Sequence, residues 1–306
     1  MKPVCAAPNL LSALTFTLTL ACAGAAHAES DLAATDVPPI AVAMTVAPAI
    51  IRTQPLWEIG LGAGVLRLPD YRGSDKYSGY LLPVPFVIYR GKFLRADREG
   101  ARVMLLDTDR FDLDVSLSAG PPAHSDPDGI RAGMADLPGT VEIGPKVRSV
   151  FWRSASGSRL SLDLPVRAVI SLEKNPRHIG TVFTPNLDLG LATGTPWRLG
   201  IQGGPMWATR SVHQHYYGVS AAEAVSSPTL ERPAYQAHGG YAGWHALAGV
   251  SRRYERHWVG AYMRHDHVGG AVFDDSPLVR SRRNWSVGVA MAWVFATSEE
   301  QVSRAD

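Results

Sequence analysis

From Trp57 onward, apolar and polar residues alternate. In Trp57-Glu58-Ile59-Gly60-Leu61-Gly62-Ala63-Gly64-Val65 the odd positions are apolar and the even ones are Glu or Gly. The run Phe111-Asp112-Leu113-Asp114-Val115-Ser116-Leu117-Ser118 repeats this, as do Leu160 to Ile170, Trp197 to Gln202 and Trp285 to Phe295. A period of two held over about eight residues marks strands with one apolar and one polar face. Stripes at i, i+3, i+4, which would mark helices, are scarce. The pattern predicts strands near 57–66, 80–89, 92–97, 101–106, 111–119, 139–151, 160–171, 181–193, 197–209, 235–251, 257–266 and 285–295. That makes twelve, with ten as the fallback, because 92–106 holds two pieces shorter than the ~9–11 residues a membrane strand needs.

Two architectures bury one face of many strands: a soluble sandwich and a barrel in lipid. Here Gly, Ser, Asp, Arg and Gln share the polar face while Leu, Val, Ile and Trp share the other. That is the lumen-in, lipid-out pattern of an antiparallel transmembrane β-barrel, an all-β fold. Tryptophans fall near strand ends, where an interfacial girdle needs them. The candidate interface aromatics are Trp57, Trp152, Trp197, Trp207, Trp258, Trp285, Trp293 and Phe295. With both termini periplasmic, the long connections fall outside and the short turns inside, as in these barrels, except for a short outer connection at 98–100. Pro83, Pro85, Pro145, Pro165, Pro185 and Pro205 each remove a ladder donor, so they belong at bulges or frayed ends. A sandwich accommodates these prolines better, but it explains neither the tryptophans nor the absence of thiols.

The chain begins with Lys2, an apolar run from Leu10 to Gly24, and Ala26-His27-Ala28, which fits a small-x-small cleavage pattern. Residues 1–28 are therefore expected to be a cleaved secretory signal peptide. Both cysteines, Cys5 and Cys22, leave with it, so the mature chain has no disulfide, no zinc–cysteine site and no cysteine nucleophile. Residues 29–55, broken by Pro38, Pro39, Pro48 and Pro55, are expected to be a flexible periplasmic tether. The barrel is placed at 56–295 and a disordered tail at 296–306.

A net charge of +2 without a basic stripe argues against nucleic acid. His213-Gln214-His215 and His265-Asp266-His267 tempt a metal reading, since i and i+2 share a face of a strand. Two ligands make half a site and spacing suggests no third, so no metal, cofactor or catalytic residue is assigned. The chain is read as a non-enzyme. Arg280, Arg282 and Arg283 are the dense positive group and the candidate lipopolysaccharide contacts. The last strand alternates and finishes on Phe295, which resembles the recognition signal of the barrel assembly machinery.

Four segments in order carry a family resemblance. Pro69-Asp70-Tyr71-Arg72-Gly73-Ser74 resembles a P-x-Y-x-G-S loop, and Pro83-Val84-Pro85 a P-x-P strand. Tyr216-Tyr217-Gly218-Val219-Ser220, followed by Ala224 and Tyr235, resembles a Y-[FY]-G-V-s…A…Y block, and Ser276-Pro277-Leu278-Val279 an S-P-[LIV]-V block. Together, over 57–295, they resemble the MipA/OmpV family of outer-membrane proteins. That resemblance implies an outer-membrane scaffold that brings a murein lytic transglycosylase to a bifunctional penicillin-binding protein. It also leaves room for a small porin-like channel or a lipopolysaccharide-binding structural barrel. Expected surroundings are outer-membrane lipids and lipopolysaccharide.

Overall fold

A computed structural model describes residues 51–305, apart from 91–93, 98–99, 109–110, 126–128 and 226–231. The signal segment and most of the tether lie outside the described residues. One antiparallel sheet holds β2 (Trp57–Pro69), β3 (Tyr77–Arg90), β4 (Leu94–Asp97), β5 (Gly100–Asp107), β6 (Phe111–Gly120), β7 (Thr140–Arg153) and β8 (Arg159–Ser171). It continues through β9 (Arg177–Phe183), β10 (Asn186–Ala192), β11 (Trp197–Ala208), β12 (Gly240–Arg253), β13 (His257–His267) and β14 (Arg283–Thr297). β14 pairs with β2. Both β9 and β10 pair with β8 on one side and β11 on the other. They are two halves of one wall position, broken at Thr184-Pro185, so 13 strands occupy 13 − 1 = 12 positions and the ladder returns to its start.

The sidedness of the wall follows the alternation. Along β14, Trp285, Val287, Val289, Met291, Trp293 and Phe295 are 44–59% exposed, while Asn284, Ser286, Ala292 and Val294 are buried. Register carries the same parity into neighbouring strands. Val289 faces Ala261 on β13 and Val65 on β2, and Ile201 on β11 faces Ala248 on β12. The outer surface is thus an apolar belt. In water that surface would promote aggregation; in a bilayer it matches the hydrocarbon.

The inner surface is charged and paired. On β7 and β8, Arg148 donates through Nε and Nη2 to the two carboxylate oxygens of Asp163, at 2.7 Å each. Lys146 lies 3.4 Å from Asp114 and 3.8 Å from Asp163. Arg167 donates to Glu142 at 2.9 Å, Ser116 at 3.2 Å and Thr184 at 3.0 Å. Charges removed from water need such partners, because a lone buried ion is far costlier than a bonded pair.

The prolines settle where ladders are interrupted. Pro185 stands in the β9–β10 break, Pro205 borders a bulge of β11, and Pro145 and Pro165 flank a gap in the β7–β8 register. Pro83 and Pro85 lie on β3 opposite Ala63 and Leu61. On its other side β3 pairs with β4 only at Tyr89 and Arg90, so no described ladder flanks these two prolines there.

The described parts of connections 70–76, 121–139, 172–176, 209–239 and 268–282 crowd one end, and the short turns 154–158, 193–196 and 254–256 the other. The strand expected from 235 starts instead at Gly240, since Tyr235 forms a bridge with Val219. The tail also differs from expectation. β14 runs through Thr297, and β15 (Gln301–Ala305) pairs antiparallel with β1 (Ile51–Pro55) as a separate ribbon at the short-turn end. Ring closure brings 51–55 and 301–305 together, and extended segments held side by side satisfy each other's backbone groups.

Candidate functional site

The long loops pack into a cap rather than standing free. Its core gathers Tyr71, Ala123, Leu137, Tyr217, Val219, Ala242, Val268, Ala271, Phe273 and Leu278, contributed by four separate connections and the start of β12. At its centre lies α1 (Arg210–Tyr217), which ends at Gly218 and leads into a short second helix, α2 (Ala221–Val225). Tyr217 stacks on Phe273 with ring centroids 3.7 Å apart and planes within 9°. Tyr71 meets Tyr217 edge to face at 6.1 Å.

Hydrogen bonds cross between loops at three of the four motifs, while Pro83-Val84-Pro85 stays in β3. The Tyr71 hydroxyl donates to the Leu278 carbonyl at 2.7 Å, and the Tyr217 hydroxyl to the Arg72 carbonyl at 2.8 Å. Ser276 Oγ donates to the Tyr217 carbonyl at 2.8 Å. Asn284, fully buried at the head of β14, accepts from the Gly73 amide and donates to the Ser74 carbonyl, both at 2.7 Å. The Gly73 carbonyl in turn accepts from the Arg280 and Ser281 amides. Gly73 has φ +100, a region that side-chain-bearing residues avoid, and this turns the loop toward Asn284.

The cap is tied to the wall by charge. Arg72 donates to Asp266 Oδ1 at 2.8 Å and to the Ala242 carbonyl at 2.8 Å. Arg264 holds the same carboxylate at 2.7 and 2.8 Å, so one buried Asp266 is shared by two guanidiniums. Arg232 donates to the carbonyls of Ile130 and Ala132 at 2.7 and 2.9 Å, joining 209–239 to 121–139. Burial pushes the Tyr71 phenol up to about 12. Burial also raises Tyr217 and lowers His213, whose Nδ1 donates to the His238 carbonyl at 2.6 Å.

Three motifs scattered over two hundred positions thus meet in one unit: 69–74, 216–220 and 276–279. A family model described as MltA-interacting protein MipA matches residues 61–295. The chain belongs to the MipA family. No curated protein sequence matches this MipA-family chain. Among solved structures it is similar to a Pseudomonas aeruginosa FadL homologue, with 11% identity and TM-score 0.30 over 76% of this chain and 66% of that one. The P. putida toluene transporter TodX follows with 11% identity and TM-score 0.26, over 81% and 69% of the two chains. The outer membrane protein OprG from Pseudomonas aeruginosa gives 9% and 0.19, over 60% and 90%. Likenesses this slight carry nothing about cargo. Family, closed ladder and outward apolar belt make this MipA-family chain an outer-membrane barrel, with the packed loops at one end and the short turns at the other.

The remaining sequence candidates are distributed as follows. Trp152, Trp197, Trp293 and Phe295 project outward at the short-turn end, where Trp57 is half-buried. Trp207 and Trp285 project outward at the capped end. On β14, Trp285 and Trp293 are about 26 Å apart along the strand, or roughly 20 Å in height at a tilt of about 40°. Trp258 departs from the expectation. It pairs with inward-facing Ala292 and packs on buried Phe86, with ring centroids 6.1 Å apart. Its parity decides this, because Val259, Ala261 and Met263 take the lipid side of β13.

The three arginines do not form one patch. Arg280 lies 3.9 Å from Asp75 and Arg282 3.8 Å from Asp274, while Arg283 opens β14 and faces out. His213 and His215 sit on a helix, where i and i+2 diverge, whereas His265 and His267 share the outward face of β13 and Asp266 between them points to the lumen. Among the described residues no group of three metal-ligating side chains occurs.

Proposed function

We propose that this chain is a non-catalytic scaffold of the outer membrane that holds a murein lytic transglycosylase, together with a bifunctional penicillin-binding protein, from its periplasmic side. One observation carries the reading: the residues of three of the four family motifs are spent on closing the outer mouth. A pore needs loops that leave an opening, whereas Tyr71, Tyr217, Ser276 and Leu278 tie theirs together over the barrel. The lumen face beneath carries paired charges of both signs, between neighbouring strands at Lys146, Arg148 and Arg167 and between the more distant Arg253 and Glu58, rather than free charges of one sign. Both features favour an anchor over a channel. The family's description as MltA-interacting supplies the class of partner. The surface left to meet it is the periplasmic end, with its short turns and the ribbon in which β1 pairs with β15.

In-cell crosslinking of the tagged protein, followed by mass spectrometry of what copurifies, tests this. A lytic transglycosylase and a penicillin-binding protein enriched over an unrelated barrel support the scaffold. Recovery of the barrel assembly machinery and lipopolysaccharide alone overturns it.

A further inference from the structure

On the lipid side of the wall, just below the cap, a cluster interrupts the apolar belt. Trp244 on β12, His265 and His267 on β13, and Arg283 and Trp285 on β14 line one outward groove. Register fixes it: Trp244 pairs with His267, His267 with Arg283, and His265 with Trp285, so all five share a face. The rings pack at 5.3 Å (Trp244 to His265), 5.7 Å (Trp244 to His267) and 4.4 Å (His265 to Trp285). Immediately below, the same face continues as Ala246, Ala248, Met263 and Val287.

Strongly polar groups facing lipid are costly unless they reach the headgroups. The neighbouring arginines show the usual remedy, since Arg280 and Arg282 stand beside Asp75 and Asp274. Arg283 has no carboxylate beside it among the described residues, and the buried Nδ1 of His265 has no hydrogen-bond partner. Donors without protein acceptors, bracketed by two tryptophans and set at the upper edge of an apolar wall, call for an anion that carries its own hydrocarbon. The guanidinium fork matches phosphate oxygens in pairs, and imidazole and indole N–H groups add further donors.

We infer that this groove binds the phosphate of an outer-leaflet glycolipid headgroup of the lipid A type, with its acyl chains lying down the Ala246–Ala248 face. The site is separate from the periplasmic surface assigned to the scaffold, so either reading can fail without the other.

The experiment places the full barrel in phosphatidylcholine nanodiscs and follows tryptophan fluorescence on titration with lipid A, dephosphorylated lipid A, phosphatidylglycerol or inorganic phosphate. Lipid A is expected to bind best and to lose about tenfold in affinity in the double variant Arg283→Gln, His267→Gln, the scale expected for losing a charge-assisted pair. Arg280→Gln should leave it unchanged. Equal affinity for the dephosphorylated lipid, or an unaltered double variant, overturns the site. Inorganic phosphate bound as tightly as lipid A, or phosphatidylglycerol preferred to it, overturns the assignment to a glycolipid. Native mass spectrometry of the wild-type barrel, needing no variant, must also show a phosphorylated glycolipid adduct; its absence counts against the inference.

Discussion

Replacing Tyr217 with Phe deletes one oxygen and tests whether the cap is a cooperative unit. The hydroxyl is the donor to the Arg72 carbonyl at 2.8 Å, in a position where Tyr217 is 5% exposed. The ring, its stacking on Phe273 and its edge contact with Tyr71 all remain. What is left is a buried carbonyl with no donor, a loss of about 1–3 kcal/mol. If the cap opens as one element, its open population rises roughly 5- to 150-fold. The strand ladder does not use this bond, so barrel stability should not change. Hydrogen–deuterium exchange resolved by peptide is the assay. Peptides spanning 70–76, 210–218 and 271–279 should all exchange faster, and those of β7 and β14 should not. Acceleration confined to 210–218 would refute the shared cap, and acceleration in the strands would refute its independence from the wall. Tyr217→Ala, which also forfeits the ring stack, should open the same three segments further.

Further predictions concern the loop turn, the lumen and pH. Gly73→Ala should cost about 1–2 kcal/mol through backbone strain at φ +100, since its Cβ would meet Val279 at an ordinary 3.5 Å; limited proteolysis within 70–76 should speed up accordingly. Asp163→Asn removes the carboxylate charge that faces Arg148 and Lys146 and should destabilise the barrel by about 3–5 kcal/mol, seen as a lower urea midpoint. Replacing Asp163 and Arg148 together with Leu should restore most of that loss. The Tyr71 phenol is raised from 10.0 to about 12, so the cap favours its neutral form; the resulting stability is complete below pH 10 and is lost as pH rises through 12. Ultraviolet titration should show late-ionising tyrosine absorbance that shrinks in Tyr71→Phe.

The wall was legible because a strand between lipid and lumen has no freedom in its pattern. Strict alternation in 285–295 fixes which residues of β14 face out, and the twelve expected segments correspond to the twelve wall positions. Even the inward turn of Trp258 was encoded, since Val259, Ala261 and Met263 claim the opposite parity; its size and its place near a strand end drew attention instead. The cap was less legible. Tyr71, Tyr217 and Ser276 could be singled out as motif residues, but their meeting rests on bonds spanning 207 and 145 positions that no local pattern announces. The lipid-side groove was hidden for the same reason. Trp244, His265 and Trp285 become neighbours only through register, and His265-Asp266-His267 reads as a cluster until the strand sends its middle residue to the lumen. The pairing of 51–55 with 301–305 depends on ring closure, which short polar segments cannot signal.

The central claim is a barrel sealed outside and occupied by murein enzymes inside. Photo-crosslinking amino acids placed singly at Ser156, Thr195 and Glu255 on the periplasmic turns, and at Asp75 on an outer loop, test it most directly in living cells. Crosslinks to a lytic transglycosylase from the three periplasmic positions, with none from Asp75, are the expected result. Crosslinks from Asp75 alone, or from no position while the barrel is assembled in the outer membrane, would contradict it.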